Sequence, residues 1–313
     1  MAEKTPPGAR KSEDAPCEWV RRWINYFFEC QGIERSNYGS YERPYHVHFR
    51  RIATDLQVEV HSVIIELEFF LNYMEQAFFA EAVRARKNNN EQRSVRFIAL
   101  TRNAFSLRQN HEGAMTLISH GFDTVARQNL RSQHEIALSL CRSSFDAEYA
   151  RHYLNVASPE DANRFWHEWI SRDKLKKAIA DYSVKQDLIC LLTKRDFAGE
   201  NIKVLGVSVH PNGLANHFSF KNNWEKLVDE FEDKPTNLSV LSAAFQLVGS
   251  MKFVLEVIQS DLQDSSDNDV YRVLFNPVLF DKDACSRYGE ILGGFALLLA
   301  GLSNQQPEQI LDK

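Results

Sequence analysis

"SVRFIALTRNAFSLRQNHEGAMTLIS", residues 94–119, decides the fold class. Phe97, Leu100, Ala104, Leu107, Ala114 and Ile118, with His111 in the same register, step alternately by three and four residues. That period gathers apolar groups on one face of an α-helix and on neither face of a strand. The rhythm also precedes this segment, in a helical stretch from about residue 48 to 86 carrying Leu56, Val60, Val63, Leu67, Phe70, Met74 and Ala77. "KNNNEQ" at 87–92 breaks it. It returns between residues 236 and 262 at Leu241, Ala244, Val248, Met251, Leu255, Ile258 and Leu262. Helices patterned this way pack best side by side at small crossing angles. The expected fold is all-α: a multi-helix bundle of long antiparallel helices, one domain over residues 16–313, with an irregular loop region at 197–222.

Composition agrees. Only 13 glycines and 9 prolines occur in 313 residues, too few breakers for a loop-rich all-β chain, and 44% apolar with 25% charged residues is ordinary for a globular protein. With 42 acidic against 37 basic side chains the net charge is −5, so no bulk charge drives the chain onto nucleic acid or anionic lipid. The five cysteines, at 17, 30, 141, 190 and 285, are odd in number and nowhere spaced as CxxC. That argues against a zinc knuckle or redox pair and for a reducing, cytoplasmic setting.

Punctuation divides the remainder. Residues 1–15 read as a disordered leader with no apolar core of a signal peptide. A first helix is expected from Pro16 to Gly32. Gly121 separates segment 94–119 from a helix at 122–143, and "SPED" at 158–161 supplies a cap, a first-turn proline and two acids for further helices through Arg195. An acidic loop, 263–270, leads to the apolar run "ILGGFALLLAGL" at 291–302. Twelve residues fall short of the ~20 that span a bilayer, so a buried helix or a dimer seam is expected there, and no membrane partner.

Several chemistries lack their motif. There is no Gly-rich phosphate loop, no GxSxG elbow and no His-Glu-x-x-His, and Glu-x-x-His pairs for a di-iron bundle are missing. His46 and His48 point about 200° apart on a helix, and only a strand or turn would aim both at one metal. No metal or cofactor is expected. His111, on an apolar stripe, reads as a satisfied core histidine. Arg84, Arg86, Lys87, Arg93 and Arg96 read as a solvated helix end and turn, with only Phe97 close enough to add an aromatic surface.

The most informative polar cluster lies in "VARQNLRSQHEIALSLC", residues 125–141. At 100° per residue from Val125, the residues Val125, Ala126, Leu130, Ile136, Ala137, Leu140 and Cys141 span roughly 0–160°. His134 falls near 180°, Arg127 near 200°, Arg131 near 240° and Glu135 near 280°, a strip along the edge of the expected core face. Such a strip pins helices through ion pairs, or binds an anion such as an RNA phosphate.

Arg127 and His134 also fit the Arg-x4–6-His pattern of the HEPN superfamily, helical bundles that include metal-independent ribonucleases; the same spacing recurs at Arg43 and His48. The order of heptad-like helix, glycine break, "ARQNLRSQHE" and late "VSVHPNG" loop resembles bacterial all-α families of unknown function with HEPN-like bundles, over roughly residues 94–220. The resemblance implies catalytic roles for Arg127 as phosphate binder and His134 as general acid/base. It implies a cleft completed by Arg131, Glu135 and, from the late loop, Ser208, His210 and Asn212. Two functions follow as expectations: a helical binding or regulatory module working through a protein partner or homo-oligomer, and a HEPN-like ribonuclease acting on RNA as toxin or defence effector.

Overall fold

The structure, a computed structural model, describes residues 55–171, 173–185 and 269–274, with the single positions Arg22, Phe49, Val240, Ala243, Ala244, Leu247, Ser250 and Val254. Among the described residues there are helices and no strand. The chain is all-α.

Three long helices form its frame: α1 Asp55–Lys87, α2 Glu91–Ser119 and α3 Asp123–Phe145. At 1.5 Å per residue they are about 50, 43 and 35 Å long. The expected break at 87–92 is a tight turn in which Asn89 takes φ 55°. Asparagine tolerates that left-handed backbone, and Asn90 then caps α2 by accepting from the Arg93 amide at 3.1 Å. Between α2 and α3, Gly121 at φ 75° closes a Schellman turn. Its amide donates to Ile118 O at 3.0 Å and that of Phe122 to Leu117 O at 2.9 Å.

Both hairpins are antiparallel, as the partners show. Along α1 and α2, Glu81 meets Arg93, Phe78 meets Phe97, Glu75 meets Arg108 and Glu68 meets His111, in opposite chain order. Along α2 and α3, Gly113 lies against Asn129 and Asn103 donates to Ser143 Oγ at 3.4 Å. A Cβ on Gly113 would stand 3.3 Å from Asn129 Nδ2, so the absence of a side chain there lets the two helices approach.

The stripe Phe97, Leu100, Ala104, Leu107, His111, Ala114 and Ile118 is wholly buried. On α1, Leu67, Phe70 and Met74 are buried as expected, and so are Ile64, Phe69, Leu71 and Phe78, a wider face than one heptad seam. The reason is a second neighbour: helix 269–274 packs on α1, where Tyr73 Oη donates to Leu274 O at 2.9 Å. That helix also shortens the expected acidic loop, since residues 269 and 270 are its first turn and Val270 is buried.

Beyond α3 the chain turns back in short pieces. Asp146 caps α4 Ala147–Leu154, accepting from the Tyr149 amide at 2.9 Å. Ser158 caps α5 Pro159–Phe165, with Pro159 in its first turn, as the "SPED" signature requires. The expected run of helix then breaks. A π-helical turn, Trp166–Ile170, ends at Ser171, and Asp173 takes φ 58° before α6 Lys174–Lys185. Neither glycine nor proline marks this break. Of the helix expected at about 236–262 the structure describes Val240, Ala243, Ala244, Leu247, Ser250 and Val254, each helical and buried; of the expected stripe only Ala244 is among them. The leader 1–15, the helix expected at 16–32 apart from the single helical residue Arg22, His46, His48, loop 197–222 and the run 291–302 lie outside the described residues.

Phe97 is fully buried against Phe78, so Phe97→Ala is expected to cost about 3–5 kcal/mol, read as a lower urea midpoint with far-UV helicity retained before the transition.

Candidate functional site

The stretch 125–141 makes up most of α3, which packs between α2 and α6. Here the expected face needs correction. Val125, assigned to the core, is 47% exposed, whereas Arg127 is 2% and His134 5% exposed, with Gln133 and Leu138 also buried. From Ala126 to Leu138 the buried arc therefore runs from about 80° to 220°, not 0° to 160°. On the side of His134 the chain returns as α6, Lys174–Lys185, which packs on α3 and brings Lys176 near the ring. Arg127 and His134, two turns apart on one face, belong to the packed interior rather than its edge. Arg131 is half-buried and Glu135 exposed, so the four-residue strip is split between inside and outside. Ser208, His210 and Asn212 lie outside the described residues.

His134 has a distinct electrostatic state. Burial first, and then the nearby Lys176 ammonium, pushes its imidazole down from 6.5 to about 4. Its Nε2 meets no hydrogen-bond partner among the described residues, and neither do the side-chain oxygen and nitrogen of Gln133. Near neutral pH the ring is thus an uncharged, buried group beside the Lys176 ammonium. A neutral imidazole can accept a proton; as a proton donor it would work only in acid. Among the described residues no group of three histidine, cysteine, aspartate or glutamate side chains converges to hold a metal. Gln133 was missed at the sequence level although it lies near 80°, inside the apolar arc, where a polar side chain is itself a signal. Lys176 carried no such signal, because its proximity is created by the return of the chain.

Other polar groups of the interior are committed to structure. His111 Nε2 lies 3.2 Å from Glu68 Oε1 with both side chains fully buried, off the axis of a well-formed hydrogen bond. Arg108 bridges Glu75 at 2.9 Å and Glu112 at 2.8 Å. Burial opposes its charge, and the two carboxylates outweigh that and hold it above its ordinary range. Glu81, buried at the α1–α2 turn, takes Arg84 and Arg93 at 2.6 Å each, so part of the basic cluster is neutralised rather than solvated. Arg93 and Arg96 also lie over the Phe97 ring, at 5.2 and 5.7 Å.

A second cluster was not anticipated. The Arg142 guanidinium lies 4.8 Å from the Tyr149 ring and 4.7 Å from the Trp169 ring, and pairs with Asp146 at 3.2 Å. Tyr149 Oη shares a hydrogen bond with Ser139 at 2.8 Å, and burial pushes its phenol up to about 12. This aromatic clamp is already filled by the chain's own arginine and joins α3, α4 and the π turn.

Comparison with known proteins returned no matching family model, curated protein or solved structure.

Two outcomes are expected. Above about pH 6.5 folded and unfolded chains both hold His134 neutral; as pH falls toward about 4 the unfolded chain takes the proton first, and up to about 3 kcal/mol of stability is lost. Urea unfolding at about pH 7 and about pH 5 should show a shallower loss in His134→Gln than in the parent. Arg142→Met strips Asp146 of its buried partner and both rings of their cation, and should lower stability by about 2–4 kcal/mol in the same assay.

Proposed function

We propose that this chain is a helical binding or regulatory module of the cytoplasm that works through a protein partner or a second copy of itself, and not a ribonuclease. The observation that carries this reading is the burial of Arg127 and His134, 2% and 5% exposed, on the helix against which α6 packs. A HEPN-like ribonuclease needs that arginine on a scissile phosphate and that histidine exchanging protons with it. A ring held neutral near pH 7, beside Lys176 and away from solvent, suits a packed seam better than a turnover site. The cytoplasmic setting is supported by the reduced, fully buried Cys141 and by the cysteine pattern of the whole chain. No helix among the described residues is long and apolar enough to cross a membrane.

One observation favours the alternative. Lys176 lies near His134, and buried Gln133 offers an amide without a hydrogen-bond partner among the described residues, polar groups of the kind that hold a phosphate. Labelled cellular RNA incubated in EDTA with purified protein separates the two. Under our reading wild type, His134→Ala and Arg127→Ala all leave the RNA intact. Cleavage by wild type that disappears in both variants, with their helicity retained, would establish the ribonuclease instead.

A further inference from the structure

The outer face of the α1–α2 hairpin carries apolar surface that the bundle does not use. Phe79 is 58% exposed, Val83 38% and, on the neighbouring helix, Phe105 38%. Phe79 and Val83 are one turn apart on α1, so their side chains share a stripe. Glu75 and Arg108, joined at 2.9 Å, tie the two helices beside them. Phe79 stands one turn after Glu75, and Phe105 one turn before Arg108, whose guanidinium lies 5.3 Å from the Phe105 ring. Both rings therefore stand about one turn to the hairpin-tip side of that ion pair, one on each helix. Exposed rings and a valine along a groove between two helices form an unfilled helix-docking surface of modest size.

The charges around it choose the occupant. Toward the hairpin end of α1, Arg86 is exposed two turns after Phe79 and Lys87 one turn after Val83, and Arg102 is exposed one turn before Phe105 on α2. Glu91, at the hairpin tip, is the one exposed acid among the described residues of this stretch, 76–110. Glu75 and Glu112 are taken by Arg108, and Glu81 by Arg84 and Arg93. The surface is thus apolar in its middle and cationic at its hairpin end. A second copy of the same face would bring only Glu91 against Arg86, Lys87 and Arg102, and cations against the rest. RNA or an anionic bilayer would meet a chain of net charge −5, and neither shape matches a groove with three apolar side chains strung along it.

We propose that this groove receives an acidic amphipathic helix of a partner protein, its apolar stripe on Phe79, Val83 and Phe105 and its acidic turn on Arg86 and Lys87. The inference rests on the binding-module reading and names its surface and partner class. Helix-in-groove recognition of this kind uses anchors at i, i+4 and i+7, and such anchors concentrate the energy in a few aromatic contacts.

The test pans a display library of randomised amphipathic peptides on the full-length chain. Peptides that enrich are then measured by anisotropy on wild type, Phe79→Ser, Phe105→Ser and the double variant Arg86→Glu/Lys87→Glu, with Phe122→Ser as control, since Phe122 is exposed at the opposite hairpin turn. The expected result is a consensus of three spaced apolar residues followed by acids. Its affinity falls about tenfold or more for either phenylalanine variant, falls with salt and with charge reversal, and holds for the control. These are surface substitutions, and unchanged thermal unfolding confirms that the fold is not what is being read. No enrichment, or peptides indifferent to all three groove variants, overturns the groove. So does groove-dependent binding of phosphatidylserine vesicles, of single-stranded RNA or of a second copy seen by light scattering. Peptides sensitive only to Phe122→Ser would sink this surface and leave the binding-module reading standing, whereas RNA cleavage in the assay above sinks that reading itself.

Discussion

The structure depends on burying one stripe, the face of α2 that runs from Phe97 to Ile118. α2 is the middle helix of an up-down-up arrangement, packed along its length by α1 on one side and α3 on the other. The apolar area removed from water along that stripe is the main favourable term available to the hairpin frame. Everything else in the described residues hangs on those three helices: the clamp around Arg142, the π turn, α6 and the short helix over Tyr73.

Polar groups within the frame set register more than they add stability. Glu81, Glu75, Arg108 and the Glu68–His111 pair form a ladder of ionisable contacts down the α1–α2 seam, each of which fits only one alignment of the two helices. Buried pairs of this type repay little of their desolvation, yet a slip of one turn would leave each of these charges buried without its partner. The hairpin is thereby held in place by what misalignment would cost. On α3 the buried Gln133 amide and His134 Nε2 meet no hydrogen-bond partner among the described residues, which is why they stand out as the candidate site.

Legibility followed the range of the interaction. The turns at Asn89 and Gly121, the Ser158 cap and the apolar stripe of α2 are local, since each is decided by residues within one or two helical turns, and each was readable from its own residue types. The break at 171–173 was not, because it uses a π turn and a left-handed aspartate where neither glycine nor proline occurs. The site was half legible. Arg127 and His134 were singled out correctly as residues of one face, but whether that face looks inward or outward depends on α6, some forty residues further along the chain.

By itself the sequence determined that the chain is an all-α bundle, that its long helices turn back at 87–92 and at Gly121, and that one stripe of α2 is core, because helical periodicity and turn chemistry act within a few residues. Only the tertiary structure decided which flank of α3 is covered, that His134 sits beside Lys176 and loses its proton affinity, and that Phe79, Val83 and Phe105 face outward rather than inward. Those outcomes depend on which distant segment occupies each side of a helix, and an amphipathic pattern records how much surface must be buried without naming what will bury it.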